Sequence, residues 1–189
     1  MPTLRPQIDQ SILALIDFQP KFLKPIWEQE RVLSRGLFLA EIASILGIPV
    51  IASEQVPDKM GATESSLLPW LSAPPVSKAE FGCAACDGFM TLLESYNRTQ
   101  VILVGIETHI CVSQTALGLL DLDYRVAVCP DGLSARSQEM HKIGMERMRD
   151  EGVIPIHTEA LVYEWLASAE HPRFREVIQR VKEFASVGV

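Results

Sequence analysis

Three side chains of this sequence suit nucleophilic catalysis and fall where chemistry is accessible: Cys111, Asp17 and Lys78. Cys111 lies in VILVGIETHICVSQTALGLLDL, residues 101 to 122. The apolar run 101 to 104 reads as a short buried strand that Gly105 ends. Thr108 and His109 occupy a turn, and from Cys111 onward Val112, Ala116, Leu119 and Leu120 recur at helical spacing. That spacing places the thiol at or near the first turn of a helix, where free backbone N–H groups and the positive end of the helix dipole favour a thiolate. Many free cysteines are inert packing, so a base and a charge partner must come from elsewhere. Asp17 closes the apolar run SILALID (11 to 17), and Lys78 stands near the end of PVSKA (75 to 79). In a parallel sheet the carboxyl ends of all strands share one edge, so the three residues can converge there. Lys78 would then lower the thiol pKa from its usual value of about 8.5. Asp17 would take the thiol proton and later return it to a leaving group, and backbone N–H groups at Glu107 and Cys111 would receive an oxyanion. The structural alternatives are a capping role for Asp17 and an ordinary surface position for Lys78.

The elements that must position these residues alternate. After the run at 11 to 17, residues 29 to 46 carry Val32, Leu33, Leu37, Ala40, Ile42, Ala43 and Leu46 at helical spacing, and Gly47 is placed to end that helix. IPVIAS (48 to 53) is the next strand. A proline-rich loop follows from 54 to 75, with a short helix near 65 to 71, and then PVSKA and a helix near 86 to 96. After the Cys111 unit come RVAVC (125 to 129), a helix from about Ser137 to Glu151, VIPIHT (153 to 158) and helical segments from Glu159, the last of them from Arg173. Strands separated by helices predict βαβ units and a parallel sheet covered on both faces.

At 189 residues one domain spanning 1–189 is expected, and a 48% hydrophobic, 22% charged composition is that of a globular protein. The net charge of −7 and the lack of any Lys/Arg-rich run argue against nucleic acid or an anionic membrane as partner. No apolar run is long enough to span a bilayer and the first residues lack a signal core, so four cysteines suggest reduced thiols in the cytoplasm.

ALIDFQ with Asp17, SKAEFG with Lys78 and VGIETHICVSQTA with Cys111 together resemble the isochorismatase-like cysteine hydrolase superfamily, which includes nicotinamidases and N-carbamoylsarcosine amidases. The resemblance covers roughly residues 10 to 165. It implies a three-layer α/β/α fold with a six-stranded, mostly parallel sheet, and an Asp17-Lys78-Cys111 triad. It also implies a non-proline cis peptide between Ile106 and Glu107, aiming the Glu107 N–H into the oxyanion hole. Nicotinamidases hold a metal with an Asp and two His between the second strand and the lysine; here EQVPDKMGATESSLLPW contains no histidine, so no metal and no cofactor is expected. Isochorismatases proper lack the cysteine. The closer likeness is to the isochorismatase domain-containing subgroup, which DGLSARSQEMHKIGMERMRDEGV also resembles, and the fold implies a homo-oligomer.

Phe22 and Phe81, just beyond Asp17 and Lys78, are candidate walls for a small-molecule substrate, although core packing is the alternative. His109, two residues before Cys111, is expected at a structural or rim position. Cys83 and Cys86 form a CxxC pair without the second pair a structural zinc needs; a redox role, or a disulfide of Cys83 with Cys86 or Cys111, is the other use open to them. The expected activity is metal-independent hydrolysis of a small amide-like C–N bond through a Cys111 thioester. The rivals are a thiol redox protein using Cys83 and Cys86, and a non-catalytic binding or scaffold homo-oligomer with a relic triad. A surface-exposed but unreactive Cys111, with a pKa no lower than that of an ordinary thiol, would favour the scaffold.

Overall fold

The alternation of apolar runs and amphipathic stretches folds as one parallel sheet between two helical layers. The computed structural model describes residues 5–186. In chain order the elements are β1 (Ser11–Ile16), α1 (Pro20–Leu23), α2 (Gln29–Leu46), β2 (Val50–Gln55), α3 (Pro57–Met60), β3 (Val76–Lys78), α4 (Asp87–Ser95), β4 (Gln100–Ile106), α5 (Ser113–Asp121), β5 (Arg125–Ser134), α6 (Gln138–Asp150), β6 (Ile154–Pro155), α7 (Thr158–Leu166) and α8 (Phe174–Ser186). Single 3-10 turns lie at Leu68–Trp70 and Cys83–Ala85, and a five-residue π-helical turn, Thr108–Val112, joins β4 to α5.

The sheet order is β3-β2-β1-β4-β5-β6 and every pairing is parallel. Both faces are covered, which is why the central strands are unbroken apolar runs rather than alternating ones. Along β1, Leu13 and Leu15 enter the core against α2, α7 and α8, while Ile12, Ala14 and Ile16 enter the core against α4 and α5. Each such fully buried aliphatic contributes about 1.5–3 kcal/mol. The helix α2 ends where Gly47 takes a left-handed conformation, and α6 starts where the Ser137 hydroxyl accepts from Met140 N–H. Phe184 of α8 stacks on Phe38 of α2 at 4.4 Å between ring centroids, closing that layer.

Several boundaries depart from expectation, and three of them matter for the site. Gly105 does not end β4; it stays in the strand at φ 129, paired with Ile16, and an added Cβ would lie 2.2 Å from the Ile16 carbonyl oxygen. Glycine there lets β1 and β4 close to their carboxyl ends. The second strand runs 50–55 rather than 48–53, bringing Glu54 and Gln55 onto the sheet. Cys111 is not in the first turn of an α-helix but inside the π-helical turn, closed by a Val112 N–H to Glu107 carbonyl bond of 3.3 Å, and α5 begins only at Ser113. Smaller differences are β5, which extends to Ser134 with residues 129–132 bulged out of register, and VIPIHT, which contributes only the two residues of β6. The short helix expected near 65 to 71 is the 3-10 turn, and α1 and α3 are additional.

Candidate active site

The chain runs outward from β1 to β3 on one side and returns to the other side of β1 with β4, so the sheet reverses direction between β1 and β4. Open α/β sheets bind ligands at the carboxyl end of that reversal. Asp17 follows β1 there, and the turn carrying Cys111 follows β4.

Asp17 takes φ 52, a left-handed conformation that Asp tolerates better than most residues. The turn directs its carboxylate inward, where it is 2% exposed. The Ser53 hydroxyl donates to Oδ1 at 2.7 Å, and Lys78 Nζ pairs with Oδ2 at 2.8 Å. Lys78 is the last residue of β3 and 3% exposed. Its ammonium also donates to Gln55 Oε1 and to the carbonyls of Glu80 and Phe81 at 3.3 and 3.2 Å. With three N–H groups and four acceptors the lysine is saturated.

Behind this pair stands a layer of amides absent from the predicted residues. Gln55 Nε2 donates to the Ala79 carbonyl at 2.8 Å, which leaves its Oε1 for Lys78. The Gln55 N–H donates to Gln19 Oε1 at 2.7 Å, and Gln19 Nε2 donates to the Gln55 and Gly61 carbonyls. Glu54 accepts from the Thr63 N–H and hydroxyl at 2.6 and 2.8 Å, pinning the loop that follows β2. The signal for Ser53 and Gln55 was their place at the end of the second strand, the same criterion that selects Asp17 and Lys78.

Cys111 is 9% exposed and lines one pocket together with Asp17. The expectation of a lowered thiol pKa is reversed. Burial, then the Asp17 charge, outweigh Lys78 and push the thiol up to about 12. Lys78 does not favour the thiolate strongly because it is already spent on Asp17. The Ile106–Glu107 peptide is cis, as the resemblance implied. Glu107 pairs with Arg136 at 3.0 Å, and Thr108 Oγ1 lies 2.9 Å from His141 Nδ1. Burial, with Arg31 nearby, holds the His141 pKa below the usual imidazole value.

A pocket of about 70 Å³ opens over the thiol, lined by Asp17, Phe22, Gln55, Phe81, Ile106, Glu107, Ile110 and Cys111. Both predicted phenylalanines line it, joined by Ile106 and Ile110. His109 does not line it; α6 packs so closely on its backbone that a Cβ on Gly144 would lie 2.9 Å from the His109 Cα. Cys83 is fully buried, with its N–H donating to Thr115 Oγ1 at 2.9 Å, and that hydroxyl donates in turn to the Cys111 carbonyl. Burial pushes the Cys83 thiol up to about 11. All four cysteines are free and buried, so the CxxC pair is unbonded here. Among the described residues no helix is long and apolar enough to cross a membrane.

The isochorismatase domain matches residues 11–160. Mouse isochorismatase domain-containing protein 2A is 34% identical over 93% of this chain and 84% of its own length. Zebrafish isochorismatase domain-containing protein 1 is 31% identical over 91% of this chain, which spans only 61% of that relative. Among solved structures, one described as the MAR1 ribonuclease of Caenorhabditis elegans superposes with a TM-score of 0.88 at 31% identity, covering 95% of this chain and 93% of that one. The chain therefore belongs to the isochorismatase domain family of hydrolases.

Proposed function

We propose that the protein is a cysteine hydrolase of a small amide-like C–N bond, with Asp17, Lys78 and Cys111 as its catalytic triad and no metal in the reaction. The observation that carries this reading is the buried Asp17–Lys78 ion pair, with Cys111 beside the same carboxylate at the wall of a small apolar pocket. Because the resting thiol is protonated, the nucleophile forms as it reacts. Cys111 Sγ bonds to the substrate carbonyl carbon while its proton passes to Asp17, and the carbonyl oxygen, now an oxyanion, is received by the Glu107 and Cys111 N–H groups. Collapse breaks the C–N bond, Asp17 gives its proton to the departing nitrogen, and a thioester remains. Asp17 then deprotonates a water that attacks the thioester; the acid leaves and Cys111 regains its proton. Lys78 and Ser53 hold the carboxylate in place throughout.

The nematode neighbour is named as a ribonuclease. Against carrying that substrate over stand the net charge of −7 and a pocket lined by no Lys, Arg or His. Four unpaired cysteines support a reducing, cytoplasmic location. A homo-oligomer is supported by the exposed Leu122 side chain, which lies in a surface groove with Ala84, Ala85 and Gly118. The high thiol pKa speaks for the scaffold with a relic triad, whereas the burial of Cys111 speaks against it. Substitution separates the readings. Cys111→Ala should abolish hydrolysis with an unchanged melting temperature, whereas Cys83→Ala should retain it. Loss of activity in Cys83→Ala but not in Cys111→Ala would make the protein a thiol redox device instead.

A further inference from the structure

We infer that the site, read as a cysteine hydrolase, takes an uncharged substrate with a short apolar acyl group, selected by Phe22, Phe81 and Ile110. Apart from Asp17, Gln55, Glu107 and Cys111, the pocket walls are the side chains of Phe22, Phe81, Ile106 and Ile110. Its volume of about 70 Å³ is roughly that of two water-sized groups, enough for an acyl chain of a few heavy atoms.

The charges around it are already answered. Asp17 is paired with Lys78, Glu107 with Arg136, and Gln55 is engaged at its backbone N–H and at both ends of its amide. No lining residue is a cation, and the lysine behind the wall has more acceptors than hydrogens. A substrate carboxylate would lose its hydration among apolar walls and meet two carboxylates instead of a counter-ion. A substrate ammonium would have to displace Lys78 or Arg136.

Phe81 marks the mouth. It is 57% exposed, yet its backbone is fixed: its carbonyl accepts from Lys78 Nζ at 3.2 Å. Next to it, a Cβ on Gly82 would lie 3.1 Å from the Gln114 Cβ. An exposed aromatic ring on a tethered backbone, at a pocket that Phe22, Ile106 and Ile110 also line, is placed to contact a ligand rather than to fill the core.

The test uses two p-nitrophenyl esters of equal chain length, the butyrate and the hydrogen succinate. Each rate of Cys111 acylation, read by intact mass and nitrophenolate release, is divided by the rate with a free thiol. The butyrate should acylate Cys111 at least tenfold faster, and Phe81→Arg should narrow that ratio severalfold by supplying a cation at the mouth, whereas Phe81→Leu should keep it. Equal rates for the two esters, or a succinate preference, with Cys111 acylated would overturn the inference and leave the hydrolase reading standing. An unchanged ratio in folded Phe81→Arg would remove Phe81 from the selection. Failure of both esters to acylate Cys111 would overturn the hydrolase reading and the inference together.

Discussion

Replacing Asp17 by Asn should make Cys111 more reactive toward an alkylating agent and yet useless for hydrolysis. The wild-type thiol is pushed up to about 12 by burial and by Asp17. At pH 7.5 its thiolate fraction is then about three and a half orders of magnitude below that of a free thiol with a pKa of about 8.5. A more basic thiolate is intrinsically more nucleophilic, with a Brønsted slope of about 0.45, which returns about one and a half of those orders. Wild-type Cys111 should therefore react with iodoacetamide some tens of times more slowly than free cysteine, at a rate still rising through pH 10. Asn keeps the shape of the side chain but removes the negative charge beside the thiol, while Lys78 remains. The thiol pKa must fall, and a drop of about two units raises the alkylation rate at pH 7.5 about tenfold on the same slope. Hydrolysis should fall by about a hundredfold or more, because the group that moves the proton is gone. The assay is the pH profile of iodoacetamide labelling of the Cys111 peptide, followed by mass spectrometry, beside turnover of the butyrate ester. A wild-type profile that levels off at or below pH 8.5, or an Asp17→Asn variant that labels more slowly than wild type, would refute the reasoning. In that case a standing thiolate, not a general base, would be the working state.

Two further outcomes bear on other parts of the molecule. Lys78→Met leaves the Asp17 carboxylate buried without its counter-ion, and since breaking one side of a buried pair costs about 3–5 kcal/mol, the urea midpoint should drop correspondingly; a loss under about 1 kcal/mol would mean that the pair is not dehydrated as the structure has it. Sedimentation velocity at micromolar concentration should give more than one chain per particle, with Leu122→Glu shifting it toward the monomer, and a purely monomeric wild type would remove the homo-oligomer from the proposal.

The layering of the fold was legible because strands covered on both faces are written as apolar runs and their carboxyl ends as the first polar residues after them. Asp17 and Lys78 follow that grammar directly. Gly105 does not, because its glycine marks a close approach of β1 to β4, a relation between strands remote in sequence that spacing alone does not express. The π-helical turn was equally hidden: Val112, Ala116, Leu119 and Leu120 keep an α-helical period, so nothing in the pattern registers that residues 108 to 112 are wound one residue wider. The amide layer of Gln19 and Gln55 was readable only in part, since it consists of two glutamines whose pairing depends on parallel register.

The raised thiol pKa comes first from burial and then from the way the charges pair, and the pairing bears on how the site works. Convergence on one sheet edge predicts which groups meet, but not which pairs form once they do. A lysine, a carboxylate and a thiol can settle with the lysine on the thiolate or on the carboxylate, and the sequence is the same for both. The side-chain lengths and the 2.8 Å Asp17–Lys78 contact choose the second arrangement. A carboxylate paired in this way stays where it is as the thiol loses its proton, so the proton has a fixed acceptor 2% exposed to solvent. A standing thiolate would be alkylated or oxidised between turnovers, whereas a thiol that ionises only against a bound carbonyl carbon is protected until substrate arrives. The high thiol pKa and the hydrolase reading are then two consequences of one arrangement, provided that Asp17 gives up the proton it takes. The Asp17→Asn variant separates these consequences, because it should release the thiolate and stop the reaction in the same protein.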